Sequence, residues 1–221
     1  MTDKKSIGLA EGNRLLKLCQ HRHNKEELKS PFPFGDLTAA TNGHVLVVVP
    51  NRPEFGERAA PVKIDGIYRK IEEATDWHPL PDINWPDSSI CEICLGSGWV
   101  SAKDCKECGG DGEVELHNKF SSYLCDCASC GGDGEIIQAG GDDFVCESCA
   151  GSGVSPSKRW ASINVLGVDV QEKYLRLINY PFVQVAAAND GLRGADNAML
   201  LFRQVIDGQV VAEGSIMGMR K

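Results

Sequence analysis

Nowhere does this chain hold the roughly 18 consecutive apolar residues that a membrane-spanning helix requires, so no membrane span is expected. The opening residues Met1 to Lys5 are polar rather than the apolar centre of a secretory signal, which points to a cytoplasmic setting where thiols stay reduced. Catalytic signatures are missing too. No Ser-His-Asp order, no paired acid–base carboxylates and no phosphate-cradling loop emerge, and the Gly-x-Gly strings lack the strand-to-helix setting of a nucleotide fingerprint. The expectation is therefore a protein that is not an enzyme. Positive charge is scarce in one long stretch: residues 91–153 hold Lys103, Lys106 and Lys119 against twelve Asp and Glu, a net −9. The whole chain carries −8, which leaves the remainder near neutral, with 20 basic and 19 acidic residues. So acidic a stretch repels duplex DNA, whose nonspecific binding rests on phosphate neutralisation by Lys and Arg. Any nucleic acid would have to bind the flanking residues only.

What the acidic stretch does contain is one pattern in four copies. They read Cys91-Glu-Ile-Cys94-Leu-Gly96-Ser-Gly98, Cys105-Lys-Glu-Cys108-Gly-Gly110-Asp-Gly112, Cys127-Ala-Ser-Cys130-Gly-Gly132-Asp-Gly134 and Cys146-Glu-Ser-Cys149-Ala-Gly151-Ser-Gly153. Eight of the ten cysteines thus fall into pairs with the spacing of a metal knuckle, enough for two tetrahedral four-cysteine sites. Two Zn2+ ions are the expected cofactors. The glycines belong to the same signal: a Cys-x-x-Cys turn drives the chain after the second cysteine into positive φ, which glycine adopts without steric cost. Disulfides in a small secreted domain are the competing use of such cysteines, and the polar opening argues against them. Two zinc ions on eight thiolates add a further −4 to the stretch. Spacing alone allows the four pairs to share ions either as nested or as sequential neighbours.

The four repeats resemble the cysteine-rich zinc domain of DnaJ-type co-chaperones over about 63 residues. The resemblance implies nested pairing: Cys91, Cys94, Cys146 and Cys149 around one ion, and Cys105, Cys108, Cys127 and Cys130 around the other. It also implies an extended hairpin and, by inheritance, unfolded-protein binding. The rest of that family's equipment is missing. No His-Pro-Asp string occurs; the nearest, Trp77-His78-Pro79-Leu80-Pro81-Asp82, is interrupted, and there is no Gly/Phe-rich linker. The zinc module stands here without the J domain that drives a partner ATPase.

The flanks read as α+β, a small antiparallel-sheet domain with two or three helices. It would be discontinuous, formed by residues 1–90 and 154–221 and interrupted by the insertion at 91–153. Ile7, Ala10, Leu15, Leu18 and Cys19 predict an amphipathic first helix, and Ile67, Tyr68, Ile71 and Ala74 a second. Strands are expected at 34–40 and 44–49 around Thr41-Asn42-Gly43, a strong hairpin cue, and at 62–64. After the insertion, 161–166 reads as a strand. A helix capped by Asp169 follows, with apolar face Val170, Tyr174, Leu177 and Ile178, ended by Pro181. Strands at 182–188, 198–205 and 209–217 complete a meander, with turns at Asn189-Asp190-Gly191 and Asp207-Gly208. A repeated β-α-β-β-β unit is the building block of the DNA polymerase sliding clamp. Two strings are similar to it: Thr41-Asn42-Gly43-His44-Val45-Leu46 and the terminal Ile216-Met217-Gly218-Met219-Arg220. That resemblance implies a single clamp-like module, not a ring.

Other reactive side chains have ordinary readings beside functional ones. Cys125, two residues before Cys127, either competes for the inner site, serves redox chemistry or is a spare hairpin thiol. Cys19 suits a buried apolar face. His21 and His23 lack a third ligand and suit a helix C-terminus, His44 reads as structural, and His78 and His117 show no partners. Trp77 and Trp85 with Pro79, Pro81 and Pro86 suggest a stiff linker into the cysteine-rich stretch, and Lys158-Arg159-Trp160 marks its exit. The function expected is that of a non-enzymatic zinc-binding interaction protein, whose rigid acidic hairpin binds a protein or peptide partner. The alternatives are a nucleic-acid accessory protein built on a clamp-like domain, and a holdase or thiol–disulfide activity of the zinc module. A small acidic-armed protein without catalytic residues would suit a phage or mobile element. Removing metal is expected to unfold residues 91–153 and leave the flanks folded.

Overall fold

The computed structural model describes residues 28–55, 63–156, 160–189 and 198–219, together with Gly12, residues 14–17, Lys25 and Ala60. Its centre is one antiparallel sheet built from both sides of the cysteine-rich stretch. Strands β1 (Phe32–Phe34), β2 (Leu37–Thr41), β3 (Val45–Pro50) and β4 (His78–Pro79) come from before it. Strands β14 (Val183–Asn189), β15 (Ala198–Ile206) and β16 (Gln209–Met217) come from after it, and the sheet order is β1-β2-β3-β16-β15-β14-β4. The junction is β3 against β16, with Val48 opposite Glu213 and Val45 opposite Ile216.

Local chemistry explains the hairpins. Asn42 turns β2 into β3 by accepting the His44 and Val45 N–H groups on Oδ1 at 3.0 and 2.9 Å, with Gly43 at φ 86° beside it. The strand expected over 34–40 is broken by a turn at Gly35-Asp36, which folds β1 back on β2. Both sheet edges are short and carry proline, Pro33 in β1 and Pro79 in β4, positions where a missing N–H costs no ladder bond.

Alternation sends apolar residues to both faces. Val45, Val47, Val49, Val185, Leu200 and Phe202 meet Tyr174, Leu175 and Ile178 of helix α2 (Glu172–Ile178) on one side. Leu46 and Val48 meet Phe32 and Ile64 on the other, where Ile71 of helix α1 (Asp65–Glu73) packs on Met199 and Leu201. The run Val45–Val49 is buried throughout because its strand is covered on both faces. Helix α1 (Asp65–Glu73) is tied to the sheet by the Tyr68 hydroxyl, which donates to the Glu213 carboxylate at 2.9 Å.

The α+β expectation does not hold. Strand makes up 43% of the described residues and helix 13%, so the protein is mainly β. The helices are short, nine residues in α1 and seven in α2 (Glu172–Ile178). Part of the expected helix is strand: Val168–Gln171 forms β13 against β12 (Ser162–Val165), because Val168 and Val170 alternate inward as buried β-branched residues. Asp169 is therefore not the helix N-cap; its carboxylate accepts from the Asn164 amide at 2.7 Å, and the α2 N-cap is Gln171. Ile64 stands at the N-cap of α1 rather than in a strand, and Lys63 is not in one either. Gly12 and residues 14–16 are helical within the expected first helix, with Leu15 and Leu16 buried in the main core. Cys19, His21, His23, Val62, Lys158, Arg159 and the turn at Asp190-Gly191 lie outside the described residues. Among the described residues no helix is long and apolar enough to cross a membrane.

Seven strands form an arm between β4 and β12. At its root β5 (Ser88–Ile90) pairs with β11 (Val154–Pro156). Next come β6 (Trp99–Asp104), β9 (Glu135–Ala139) and β10 (Phe144–Val145) in the order β10-β6-β9. At the tip β7 (Glu113–His117) pairs with β8 (Ser122–Asp126) as a two-stranded ribbon.

Candidate metal centres

Along this arm the four knuckles meet in nested pairs. The sulfurs of Cys91, Cys94, Cys146 and Cys149 lie within 4.8 Å of one another, and so do those of Cys105, Cys108, Cys127 and Cys130. Across the outer group, Cys91 and Cys146 are 3.8 Å apart and Cys94 and Cys149 3.7 Å. Across the inner group the separations are 3.7 Å for Cys105–Cys127 and 3.8 Å for Cys108–Cys130. These distances are far beyond a disulfide bond of about 2.05 Å. They match the edge of a sulfur tetrahedron, about 3.8 Å, around an ion with metal–sulfur bonds of about 2.3 Å. Each group could hold one metal ion with four protein sulfurs; seven of the eight cysteines are buried and Cys130 is half-buried.

The backbone around the sulfurs repeats four times. The last glycine of each repeat donates its N–H to the second cysteine: Gly98 to Cys94, Gly112 to Cys108, Gly134 to Cys130 and Gly153 to Cys149, at 3.2–3.3 Å. The first cysteine of each repeat donates to the last glycine of its partner, Cys91 to the Gly153 carbonyl at 3.0 Å and Cys146 to that of Gly98 at 2.9 Å. Cys105 to Gly134 and Cys127 to Gly112 are the inner equivalents, at 2.7 and 2.8 Å. Each metal centre is therefore a two-fold pair of knuckles bonded main chain to main chain. Close packing of these turns is why the last glycine is required. A Cβ on Gly112 would strike the Gly132 carbonyl oxygen, and one on Gly134 the Gly110 carbonyl oxygen.

Electrostatics set the direction of metal binding. Burial pushes the Cys91 thiol up, but the N–H of Cys94, the Ser155 hydroxyl and the N–H of Ile93 outweigh it and hold the thiol near 6. The N–H groups of Cys108 and Glu107 lower Cys105 to about 7. Burial raises their partners, Cys127 to about 12 and Cys146 to about 11, and it raises Cys149 further, with the Cys146 charge adding to it. Metal-free, each group accepts one negative sulfur and resists the next. A dication removes that conflict and holds coordinating thiols deprotonated.

The outer centre is seated in the body of the molecule. Trp99, on the strand that leaves one outer knuckle, and Val145, on the strand that enters the other, belong to the main core with Val47 and Phe202. Arg14 donates to the Ser97 carbonyl at 3.2 Å, and Lys17 lies 3.4 Å from the Asp142 carboxylate and 5.9 Å from the Trp99 ring centre. At the root, Arg176 stands over the Trp85 ring at 4.4 Å, donates to the Ser88 hydroxyl at 3.2 Å and pairs at 2.7 Å with the fully buried Glu172. The inner centre has its own small cluster with Val114 and Ile136, and the Ser129 hydroxyl donates across it to the Glu107 carboxylate.

Sequence reasoning missed Arg14, Lys17, Asp142, Glu172 and Arg176. Only the i,i+4 spacing of Glu172 and Arg176 carried a local signal. Cys125 lies outside both sulfur groups, in β8 opposite Val114. His44 stacks on Tyr174 at 5.5 Å, and, contrary to expectation, His78 and His117 have partners in Asp76 at 3.0 Å and Glu115 at 3.4 Å. Trp77 packs beside Ile71 and under Arg203 at 4.3 Å. The turn at Gly43-His44 and the segment Met217-Gly218-Met219 are neighbours: Met217 donates to the His44 carbonyl at 2.9 Å, and both line a cleft of about 440 Å³ with Gln171 and Tyr174. No family model matches the chain, and a search of the curated proteins finds no match for it.

Proposed function

We propose that this is a non-enzymatic interaction protein, in which two structural zinc ions stiffen an acidic arm that docks a protein partner. The observation that carries this reading is the pair of closed four-sulfur groups. All-thiolate tetrahedral sites suit zinc, and a centre with four protein ligands and no open position serves folding, not catalysis. Structural zinc contributes on the order of 10–16 kcal/mol per site, enough to order an arm whose distal part has little core of its own. The arm's negative charge and its exposed Leu116, Phe120, Tyr123 and Leu124 make it a candidate for protein docking.

Metal analysis of the purified chain tests the first half: two zinc ions per chain are expected, one for each sulfur group. A lower content overturns the two-site reading. An array of extended peptides tests the second half. The full chain should bind a subset, and a Cys105→Ser/Cys127→Ser variant should lose that binding. An array left unbound by the full chain overturns docking.

A second reading, a nucleic-acid accessory role for a clamp-like body, draws on the adjacency of the two clamp-like strings around the 440 Å³ cleft. Gel-shift assays that find no salt-dependent binding of DNA or RNA would remove it.

A further inference from the structure

The ribbon at the tip of the arm has two chemically different faces. Residues opposite each other across an antiparallel pair share a face. The register places Leu116 opposite Tyr123 and Val114 opposite Cys125, so these four make one apolar face. Glu113, Glu115, His117, Ser122, Leu124 and Asp126 make the other, which is acidic. Leu116 and Tyr123 are each 55% exposed, and Phe120 in the turn is 84% exposed.

Backbone parity fixes where the ribbon is open. Cys127 donates to the Gly112 carbonyl at one end and Asn118 to that of Ser121 at the other. Inward-bonded pairs alternate along such a ladder, so Val114, Leu116, Tyr123 and Cys125 bond across it. The N–H and C=O groups of Ser122, Leu124 and Asp126 then point outward from β8, and those of Glu113, Glu115 and His117 from β7. Among the described residues no third strand covers either edge. The β7 edge is guarded by two glutamates. The β8 edge reads Ser-Tyr-Leu-Cys-Asp, without lysine or proline to block pairing, and its Leu124 is 70% exposed.

We propose that the outer edge of β8 accepts one extended segment of another protein, in which large apolar residues alternate with Lys or Arg. This rests on reading the arm as a docking element. An added strand extends both faces at once. Its apolar residues continue the Leu116–Tyr123 face, and its basic residues lie on the other face beside Ser122, Leu124 and Asp126, with Glu115 and Glu113 one strand further across. Charge selects the occupant: residues 91–153 carry −9, so a second copy of the arm is repelled and a basic segment is attracted.

Fluorescence anisotropy on the zinc-loaded full chain tests this, with a short peptide alternating Leu and Lys, its composition-matched scramble and a Leu/Glu counterpart. The alternating basic peptide should bind about tenfold more tightly than either control and weaken with salt. Leu124→Pro removes one outward N–H and no ladder bond, and should weaken binding about tenfold. Leu124→Ser keeps that N–H and should stay within about threefold. Equal binding by wild type and Leu124→Pro overturns the β8 edge while leaving arm docking intact. Failure of the peptide to bind wild type overturns the edge as well, and the peptide array decides separately whether the arm docks anything. Should Leu124→Pro lose zinc, Leu116→Ser/Tyr123→Ser and Glu115→Lys replace it, and unchanged affinity in both overturns the proposal. Sedimentation showing wild-type dimers that Leu124→Pro dissolves would assign the edge to a second copy instead.

Discussion

At the residue scale, glycines at two positions of the same repeat do different work. The residue after the second cysteine is left-handed in all four repeats: Leu95 at φ 52°, Gly109 at 67°, Gly131 at 66° and Ala150 at 50°. Side chains are tolerated there, and nothing lies within 4 Å of a Cβ placed on Gly109. Gly109→Ala should therefore cost only about 1 kcal/mol, the ordinary penalty for left-handed backbone. Gly112→Ala should abolish the inner centre, because its Cβ meets the Gly132 carbonyl oxygen at a point where nothing can yield. Zinc content per molecule reads both variants, unchanged for the first and halved for the second. The cysteines were legible in the sequence because their spacing is local. The contact between Gly112 and Gly132 was not, since it joins two repeats and depends on how they face each other.

At the element scale, legibility followed range in the same way. The β2–β3 hairpin was readable because Asn42 and Gly43 build their turn from adjacent atoms. The boundary between β13 and α2 was not. Val170 and Tyr174 are four residues apart and fit a helical face, yet Val168 and Val170 fit a strand equally well, and only packing on the sheet decides. The helices expected in the flanks also concealed how far strand outweighs helix among the described residues. Helix α2 carries a second buried decision, the Glu172–Arg176 pair. Arg176→Met leaves a buried carboxylate without its cation and should cost about 3 kcal/mol. Adding Glu172→Gln removes the stranded charge, retains an oxygen for the Ala161 N–H, and should restore most of that loss. Urea unfolding of the wild type, single and double variants measures both steps. Recovery in the double variant identifies charge burial as the cost; no recovery would assign it to the lost Trp85 and Ser88 contacts.

At the scale of the whole molecule, the two centres are not equivalent. Simple independence of arm and body would let both metals leave without consequence for the flanks. Trp99 and Val145 argue otherwise, because they extend the main core into the outer centre. Cys91→Ser/Cys146→Ser should lower the stability of the body, and its tryptophan emission should shift to the red as Trp99 meets water. Cys105→Ser/Cys127→Ser should leave body stability within about 0.5 kcal/mol, since that centre shares no core with it. Equal effects of the two variants on thermal unfolding would show that the arm behaves as one unit.

The pairing of β3 with β16 also orders events on the ribosome. Val48 waits for Glu213, so the central sheet remains unfinished until the entire arm has been translated. The knuckles need no such delay. Cys105 finds Cys127 soon after both emerge, and Cys91 finds Cys146 before β12 is made. A nascent chain would then carry a metallated arm beside an apolar hairpin, β2–β3, that still lacks its cover, and the supply of metal would govern how long that hairpin stays exposed.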